Sequence, residues 1–274
     1  MTTAQPTARP ALPSLPRVYR SRAGVELKEF FRQRESVVFT LMLPMLLLIV
    51  FGAVLNYKIG FGVTFTQYFM AGIIAAGILG ASLQNMAISI ATERSDGTLK
   101  SLAGTPMPKS AYFIGKVVQV LAVSVAIIVI LLFIGVVFYG VDLPSGEEWF
   151  TFAWVSLLGA TACTLLGITL SSLAKNGRSA SATVTPIALL LQFTSGVFFQ
   201  FSSLPTWMQT AASIFPLKWM AQGLRSVFLP QVLAAKEPAH SWELGRVALV
   251  LGVWCVIGLV LCIRTFRWQD QGAG

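Results

Sequence analysis

Residues 117–139 read VVQVLAVSVAIIVILLFIGVVFY, an apolar run without a single Asp, Glu, Lys, Arg or His. At about 1.5 Å per residue, a helix of this length spans the roughly 30 Å hydrocarbon core of a bilayer. Five further runs have the same character and lie at 37–55, 69–91, 151–173, 183–201 and 247–263. We therefore predict an all-α membrane protein with six transmembrane helices.

The composition of the whole chain supports this class. Of its 274 residues, 55% are hydrophobic and only 11% are charged, whereas soluble domains have about 25% charged residues. Inside a bilayer the backbone must satisfy its own hydrogen bonds, which leaves helices or a closed β-barrel. A barrel would show alternating segments of about ten residues, so the continuous runs favour helices.

The lysines and arginines are unevenly distributed over the predicted loops. With the N-terminus in the cytoplasm, fifteen of the 20 fall on the inner side of the membrane and five on the outer side. Positive charge is enriched in cytoplasmic loops, so this asymmetry predicts a multi-pass protein of the cell membrane with both termini in the cytoplasm. The net charge of +9 is then a matter of topology, and nothing in its pattern indicates nucleic-acid binding.

The N-terminal region divides into two parts. Residues 1–20 are rich in Pro, Ala and Thr and are predicted to be a disordered cytosolic tail. Residues 21–36 predict an amphipathic helix in the cytosolic interface, with Leu27, Phe30 and Phe31 on its apolar face and charged residues around the rest. A plain membrane-anchoring flank is the alternative. The six-helix domain covers 37–268, and 269–274 form a short cytosolic tail.

The loop at 92–116, between the second and third runs, predicts a short helix at the membrane surface. Ser95 or Asp96 is suited to cap a helix through Leu99 and Leu102, which the prolines at 106 and 108 then end. Such a helix would present charge and two leucines to the cytosol, and a soluble partner can bind such a surface in a groove. An ordinary solvated loop is the alternative.

The only long connection, at 202–246, predicts short external helices before the last span. Pro205 and Pro216 are placed to begin two helices. The second has Leu217, Met220 and Leu224 on one face, opposite Lys218 and other polar residues. Neither is long enough to span the bilayer, so both are expected to lie on the outer surface or to dip back into it.

The interiors of the six runs lack the ionisable residues that ion-coupled carriers use, which disfavours a secondary carrier or channel. A membrane-embedded enzyme is disfavoured because the runs offer no paired carboxylates, His cluster or nucleophile with its base. Uncharged polar and aromatic residues remain as candidates for a substrate path. These are Gln84, Asn85, Gln192, Phe193, Phe198 and Phe199.

Small residues recur at every fourth position in two runs, which predicts helix-packing seams. The two sets are Gly72, Ala76 and Gly80 in the second run and Gly159, Cys163, Gly167 and Ser171 in the fourth.

Together these features resemble the type-2 ABC exporter permeases, particularly the daunorubicin-resistance and multidrug branch. The resemblance covers about residues 20–268. It rests on the N-terminal amphipathic helix, the six runs and the motif E-R-x-x-G-T-L-x-x-L-x-x-T-P at 93–106. It also rests on Ser195-Gly196-Val197-Phe198-Phe199, Leu204-Pro205, Phe215-Pro216-Leu217 and Gly223-Leu224-Arg225.

The resemblance implies a transmembrane subunit that pairs with an identical or sister permease and with two copies of a cytosolic ATPase. It implies that the 93–106 insert is the coupling helix that rests on the ATPase, and that the second and fifth spans line the path. The implied coupling residues are Glu93, Arg94, Asp96, Gly97, Thr98, Leu99, Leu102, Thr105 and Pro106.

No G-x-x-x-x-G-K-[ST] motif occurs in the sequence, so we expect no ATPase activity of the chain itself. ATP and Mg²⁺ would be bound by the partner subunit, and this chain would hold no cofactor or metal. The function expected is ATP-driven export of hydrophobic or amphipathic compounds such as drugs, antibiotics or lipid-like molecules. The alternative is a permease of the same architecture that exports polysaccharide or lipid-linked glycan.

Overall fold

The computed structural model describes residues 14–266 and is built almost entirely of helices. The first half of the chain forms α1 (Leu15–Arg32), α2 (Arg34–Val54), strands β1 (Lys58–Gly60) and β2 (Val63–Thr64), α3 (Phe65–Ser95), α4 (Thr98–Ala103) and α5 (Lys109–Tyr139). The second half forms α6 (Glu147–Ser171), α7 (Gly177–Thr194), α8 (Thr206–Ala212), α9 (Pro216–Phe228) and α10 (Leu244–Thr265). The two strands pair antiparallel as a small hairpin between α2 and α3.

Five of these helices are long and apolar enough to cross a membrane, namely α2, α3, α5, α6 and α10. Their presence supports a multi-pass membrane protein. Short π-helical turns interrupt α2 at Val38–Met42, just before Pro44, and α3 at Gly80–Gln84. Such single-turn π segments occur where the hydrogen-bond ladder of a helix is adjusted locally.

The predicted fifth span, 183–201, corresponds only in part to a helix. Helix α7 begins earlier, at Gly177, where Asn176 and Ser179 form a capping box. It ends at Thr194 instead of continuing to 201, because Gly196 takes a left-handed φ of 74° that turns the chain. Its 18 residues are about 27 Å long, close to the thickness of the hydrocarbon core. The six-span count therefore remains a prediction.

The N-terminal helix differs from its prediction in extent and in the face that it buries. It already begins at Leu15, so the part of the predicted disordered tail that the structure describes is mostly helical. Residues 1–13, like 267–274 with the predicted C-terminal tail, lie outside the described residues. The prediction of a Leu27–Phe30–Phe31 face was wrong, since Phe31 is exposed and Glu26 is buried together with Phe30.

Helix α3 forms the centre of the molecule. Helices α2, α5, α6 and α9 all pack against it, and most of its residues are buried. The predicted small-residue seams are confirmed at two points where another chain segment approaches closely. A Cβ on Gly72 would lie 2.8 Å from the Val197 carbonyl oxygen, and one on Gly167 would lie 2.6 Å from that of Leu83. Gly80 has no such neighbour within 4 Å.

The connection before the last span folds back into the bundle. Helix α8 begins at Thr206, directly after Pro205, and α9 begins at Pro216, as predicted. Every residue of α9 is buried, because it packs against α3, α6 and α10. The sequence left open whether this helix lies on the surface or dips back into it, and the burial of Lys218, on the polar face of α9, shows that it dips into the molecule.

Candidate functional site

Four charged side chains meet where α1 crosses α5. The Lys116 ammonium lies 2.7 Å from a carboxylate oxygen of Glu26 and also pairs with Glu93. Arg22 forms a second ion pair with Glu26, one helical turn away on α1. Glu26 and Lys116 are each 1% exposed and Glu93 is 3% exposed. Two cations and two carboxylates are thus buried together, which neutralises the cluster.

Hydrogen bonds add two further side chains to this cluster, Ser89 of α3 and Tyr112 of α5. The Lys116 ammonium donates to the Ser89 hydroxyl at 2.8 Å, and that hydroxyl donates to Glu93 at 2.9 Å. The hydroxyl of buried Tyr112 donates to the other Glu93 oxygen at 2.9 Å. We call Arg22, Glu26, Ser89, Glu93, Tyr112 and Lys116 the charged junction. It ties α1, α3 and α5 to one another.

The close approach of α1 and α5 depends on Gly115. A Cβ there would lie 3.0 Å from the Arg22 side chain and 3.1 Å from that of Glu26.

Burial raises the pKa of the Glu26 carboxyl, and the nearby Lys116 ammonium opposes that rise. Oxygens of Glu26, Glu29 and Glu93 lie within 4.8 Å of one another, a spacing that a metal ion could bridge. Because Lys116 and Arg22 already neutralise this group, it is better explained as a buried ion-pair network.

Arg94 fastens the end of α3 to the end of α6. Its guanidinium donates to the Ser171 carbonyl at 3.0 Å and to the Ser171 hydroxyl at 3.2 Å, and it reaches the Ala174 carbonyl at 3.5 Å. The last carbonyls of a helix lack partners within the helix, so a cation there satisfies them and interacts favourably with the helix dipole.

The short helix α4 forms where the sequence predicted it, but it presents a different face. Leu99 is fully buried against Met86, Ile90 and Tyr112, and Leu102 is half-buried at the edge of the same cluster. The prediction that both leucines face the cytosol was therefore wrong for Leu99. The exposed side of the segment consists of Asp96, Thr98, Lys100, Ser101, Ala103, Gly104, Thr105 and Pro106.

The predicted cap of α4 was also wrong. The residue before the helix is Gly97, with a left-handed φ of 77°, and no side chain caps the helix. The Ser95 hydroxyl donates instead to the Thr92 carbonyl at 2.9 Å, within α3. Glu93 and Arg94 are among the coupling residues that the family resemblance implies, and both side chains bind to other helices of the bundle and so anchor the segment.

The six predicted path residues fall into two groups, one beside the first half of α7 and the other at its C-terminal end and in the turn that follows. Gln84, in the π turn of α3, donates to the Thr185 hydroxyl of α7 at 2.9 Å, and Asn85 follows it half-buried. Gln192 and Phe193 lie about 10 Å further along α7, since a helix rises about 1.5 Å per residue. The structure brings Gln84 and Asn85 together, but it does not place them beside Gln192 and Phe193.

The second group is aromatic. The ring of Phe193 lies 4.7 Å from that of Phe198, and Phe198 also contacts Phe51 and Phe69. Phe198 is buried, whereas Phe193 and Phe199 are each about half exposed on the outside of the bundle. Phe198 is therefore a core residue, and the other two lie on a surface that a substrate or another membrane component can contact.

A second buried charge, which the sequence analysis did not single out as a site, lies at the opposite end of the molecule. Arg225 of α9 is 1% exposed. Its guanidinium donates to the Gly196 carbonyl, lies 3.4 Å from a Glu237 carboxylate oxygen and stacks 4.3 Å from the Tyr68 ring centroid. Arg225 thus joins the turn after α7, the α9 helix and the segment before α10. The Gly223-Leu224-Arg225 motif was the available signal.

Lys218, one helical turn before Gln222 on α9, is buried against aromatic rings. Its ammonium lies 3.5 Å from the ring centroid of Trp219 and 5.2 Å from that of Phe201. Burial lowers the pKa of Lys218 to about 8, and the carboxylates of Glu243 and Glu237 oppose that shift. Among the lysines in the part of the chain that the structure describes, Lys116 and Lys218 are the buried ones.

Comparison with known proteins shows that a family model matches most of this chain. The family model of the ABC-2 type transporters matches residues 23–229, which include α2 through α9 and most of α1. That range contains the α4 segment, the buried Arg225 and all of the charged junction except Arg22.

Two relatives show where the sequence is similar. A transport permease of Bacillus subtilis (strain 168), YvfS, is 22% identical over 199 residues, which are 73% of this chain and 80% of that protein. A multidrug ABC transporter permease of Escherichia coli (strain K12), YbhR, is 28% identical over 146 residues, which are 52% of this chain and 38% of that protein.

Proposed function

Because this chain belongs to the ABC-2 type transporter family, we propose that it is the permease subunit of an ATP-driven exporter of hydrophobic or amphipathic compounds. Two copies of a cytosolic ATPase would bind ATP and Mg²⁺, and a second permease, identical or a sister chain, would complete the path. The positive-inside bias supports an orientation in the cell membrane with both termini and α4 in the cytoplasm. The name of the YbhR relative supports drug-like cargo.

One observation carries the coupling role of the α4 segment. Its outer side is polar and exposed, while its inner side is fixed to the bundle by Leu99 and, through the end of α3, by Glu93 and Arg94. A force on the exposed side would therefore move α3, α5 and α6 directly, because the segment is held against these helices by side-chain contacts. Closure of the ATPases would push on this segment, and the rigid helices would convert that push into outward opening.

The path and the second permease are proposed on the exposed side of α7. Leu189, Leu190 and Phe193 of α7 and many residues of α2 are exposed apolar side chains. A second permease that covers these helices would enclose Phe193 and Phe199 in a cavity shared by the two chains. Gln84 and Gln192 would supply its few polar groups.

The first test is co-purification of the tagged chain in mild detergent, followed by mass spectrometry and an ATPase assay. We expect recovery of an ATPase with a P-loop, whose turnover rises when amphiphilic drugs are added. A chain that purifies without any ATPase would contradict the proposal.

The second test probes the docking surface itself. Lys100→Glu reverses an exposed charge on α4 and is expected to reduce both the recovery of the ATPase and its stimulation. Lys58→Glu makes the same change at an exposed site in the hairpin after α2 and should leave both unchanged. Leu99→Asp is unsuitable here, because Leu99 is buried and its replacement tests packing. Equal recovery with both charge reversals would contradict the docking role of α4.

A further inference from the structure

A cavity of about 560 Å³ lies between α5, α6 and α10. Its floor is formed by buried side chains, namely Lys116, Val120, Ala160, Thr164, Ile168 and Cys262. The Lys116 ammonium is already paired with Glu26 and Glu93. The hydroxyls of Thr161 and Thr164 donate to carbonyls of their own helix, at 2.7 and 2.6 Å. These walls therefore offer a ligand apolar surface, and the threonine donors are already used.

The rim of this groove opens toward the bilayer. Val117 of α5 and Leu259 and Ile263 of α10 line it and are exposed. Both helices are candidate membrane spans, so the opening lies at the depth of lipid chains. The rings of Phe113 and Phe266 meet edge to face at 4.9 Å and close the end nearest to α4.

That same end carries positive charge. Lys109, the first residue of α5, lines the groove and is exposed to solvent. Arg264 is exposed in the last turn of α10, next to Ile263. The groove is thus apolar along its length and cationic at one end, the charge pattern that complements a fatty chain attached to an anionic phosphate.

We propose that this groove binds an anionic phospholipid of the leaflet next to α4, with an acyl chain on the Val120–Ala160–Ile168 floor and its phosphate at Lys109. The inference depends on insertion of the chain in a membrane and not on the transport activity. None of the residues predicted for the substrate path lines the groove. A lipid that fills it would stabilise the packing of α5 and α10 on α6, because it covers apolar walls that otherwise enclose a void.

The test uses the purified full-length chain in phosphatidylcholine nanodiscs that contain a trace of a lipid with a photoactivatable acyl chain. The probe is phosphatidylglycerol in one sample and phosphatidylcholine in the other, and labelled peptides are mapped by mass spectrometry. We expect phosphatidylglycerol to label the α5, α6 and α10 walls several-fold more than phosphatidylcholine does. Equal labelling by the two lipids, or no labelling of these walls, would overturn the proposal.

Three variants sharpen this test. Thr161→Trp fills the groove from its exposed rim and should abolish the labelling, whereas Val129→Trp, at an exposed site of α5 outside the groove, should not. Lys109→Glu should lower phosphatidylglycerol labelling to the phosphatidylcholine level. Thermal unfolding of each variant confirms that it is folded. Labelling that survives Thr161→Trp would overturn the proposal.

A competition separates a resident lipid from transported cargo. An amphiphilic drug that stimulates the ATPase complex is added to the labelling reaction. Unchanged phosphatidylglycerol labelling supports a lipid site apart from the path, whereas displacement by the drug would assign the groove to transport and overturn the inference. The comparison of the two lipids and of the variants is measured on the permease alone, so its result is independent of whether an ATPase partner is found; only the choice of the competing drug uses the ATPase assay.

Discussion

At the scale of single residues, the buried charges are the most informative part of this molecule. Lys116 lies in α5 directly before its long apolar run, and its charge is tolerated because two carboxylates and the Ser89 hydroxyl surround it. A buried ion is stable only when its partners are present, and removal of one partner leaves an uncompensated charge. The charged junction is therefore a strict constraint on how α1, α3 and α5 fit together.

Replacement of Lys116 by Met tests this constraint. The variant leaves Glu26 and Glu93 buried without their shared cation, and we expect a loss of about 3–5 kcal/mol in stability, measured as a large fall in the thermal unfolding temperature. Adding Glu26→Gln and Glu93→Gln to this variant should restore part of the lost stability. Arg264→Gln, an exposed site, is the control for the loss of one positive charge. A Lys116→Met protein as stable as the wild type would contradict the network.

Lys218 gives a pH dependence of defined sign. Its pKa is about 8 in the folded chain and 10.5 as the ordinary value, so the unfolded chain binds more protons between these two values. Folding stability then rises with pH over this window, and the cost of the buried ammonium is fully present below pH 8. We expect Lys218→Met to lack this rise and Lys58→Met, at an exposed site, to retain it. Parallel curves of unfolding temperature against pH for the wild type and Lys218→Met would contradict the assignment.

At the scale of elements, two glycines decide how helices begin and how closely they pack. The α4 helix starts from Gly97 in a left-handed conformation that an L-residue adopts at a cost of about 1–2 kcal/mol. In α6, Gly167 lets the backbone of α3 approach to a distance that leaves no room for a methyl group. Substitution of either glycine tests a different physical effect.

Gly97→Ala introduces strain without a clash, because a Cβ there meets nothing within 4 Å. We expect destabilisation by about 1–2 kcal/mol and weaker stimulation of the partner ATPase. Gly104→Ala is the matched control at the other end of α4, where φ is −81° and alanine is accommodated. Unfolding temperatures of the two variants are compared, and equal values would show that the left-handed start of α4 is not retained.

Gly167→Ala introduces a clash without strain. Its Cβ would lie 2.6 Å from the Leu83 carbonyl oxygen and 3.0 Å from that of Ser82, so α3 and α6 must separate. Overpacking of this kind costs about 1–3 kcal/mol. Gly252→Ala, in α10 with open space around it, should be tolerated. Thermal unfolding distinguishes the two, and tolerance of both changes would refute the close packing of α3 on α6.

At the scale of the whole molecule, the number of spans and the orientation depend on α7. If α7 crosses the bilayer, the loop before it lies on the same side as α4, and α8 lies on the other side. If α7 does not cross the bilayer, the loop before α7 and helix α8 lie on the same side of the membrane. The lysine and arginine distribution favours the first arrangement, with α4 inside.

Cysteine accessibility decides between these arrangements. Single cysteines are placed at the exposed positions Ser101, Asn176 and Thr206, and intact cells are treated with a membrane-impermeant maleimide. We expect Thr206→Cys to react at once and Ser101→Cys and Asn176→Cys to react only after the membrane is opened. The wild-type chain, with Cys163 and Cys262 buried, gives the background. Reaction of Asn176→Cys and Thr206→Cys from the same side would contradict six spans.

The sequence by itself determined the membrane class, the starts of α8 and α9, and the position of α4, because continuous apolar runs and prolines act locally. The tertiary structure alone decided which faces are buried. Five charged residues are buried because they have partners distant in the chain, namely Glu26, Glu93, Lys116, Lys218 and Arg225. Leu99 likewise turns inward because Met86 and Tyr112 lie beneath it. Burial depends on contacts between distant segments, and hydrophobic periodicity within a single helix does not contain that information.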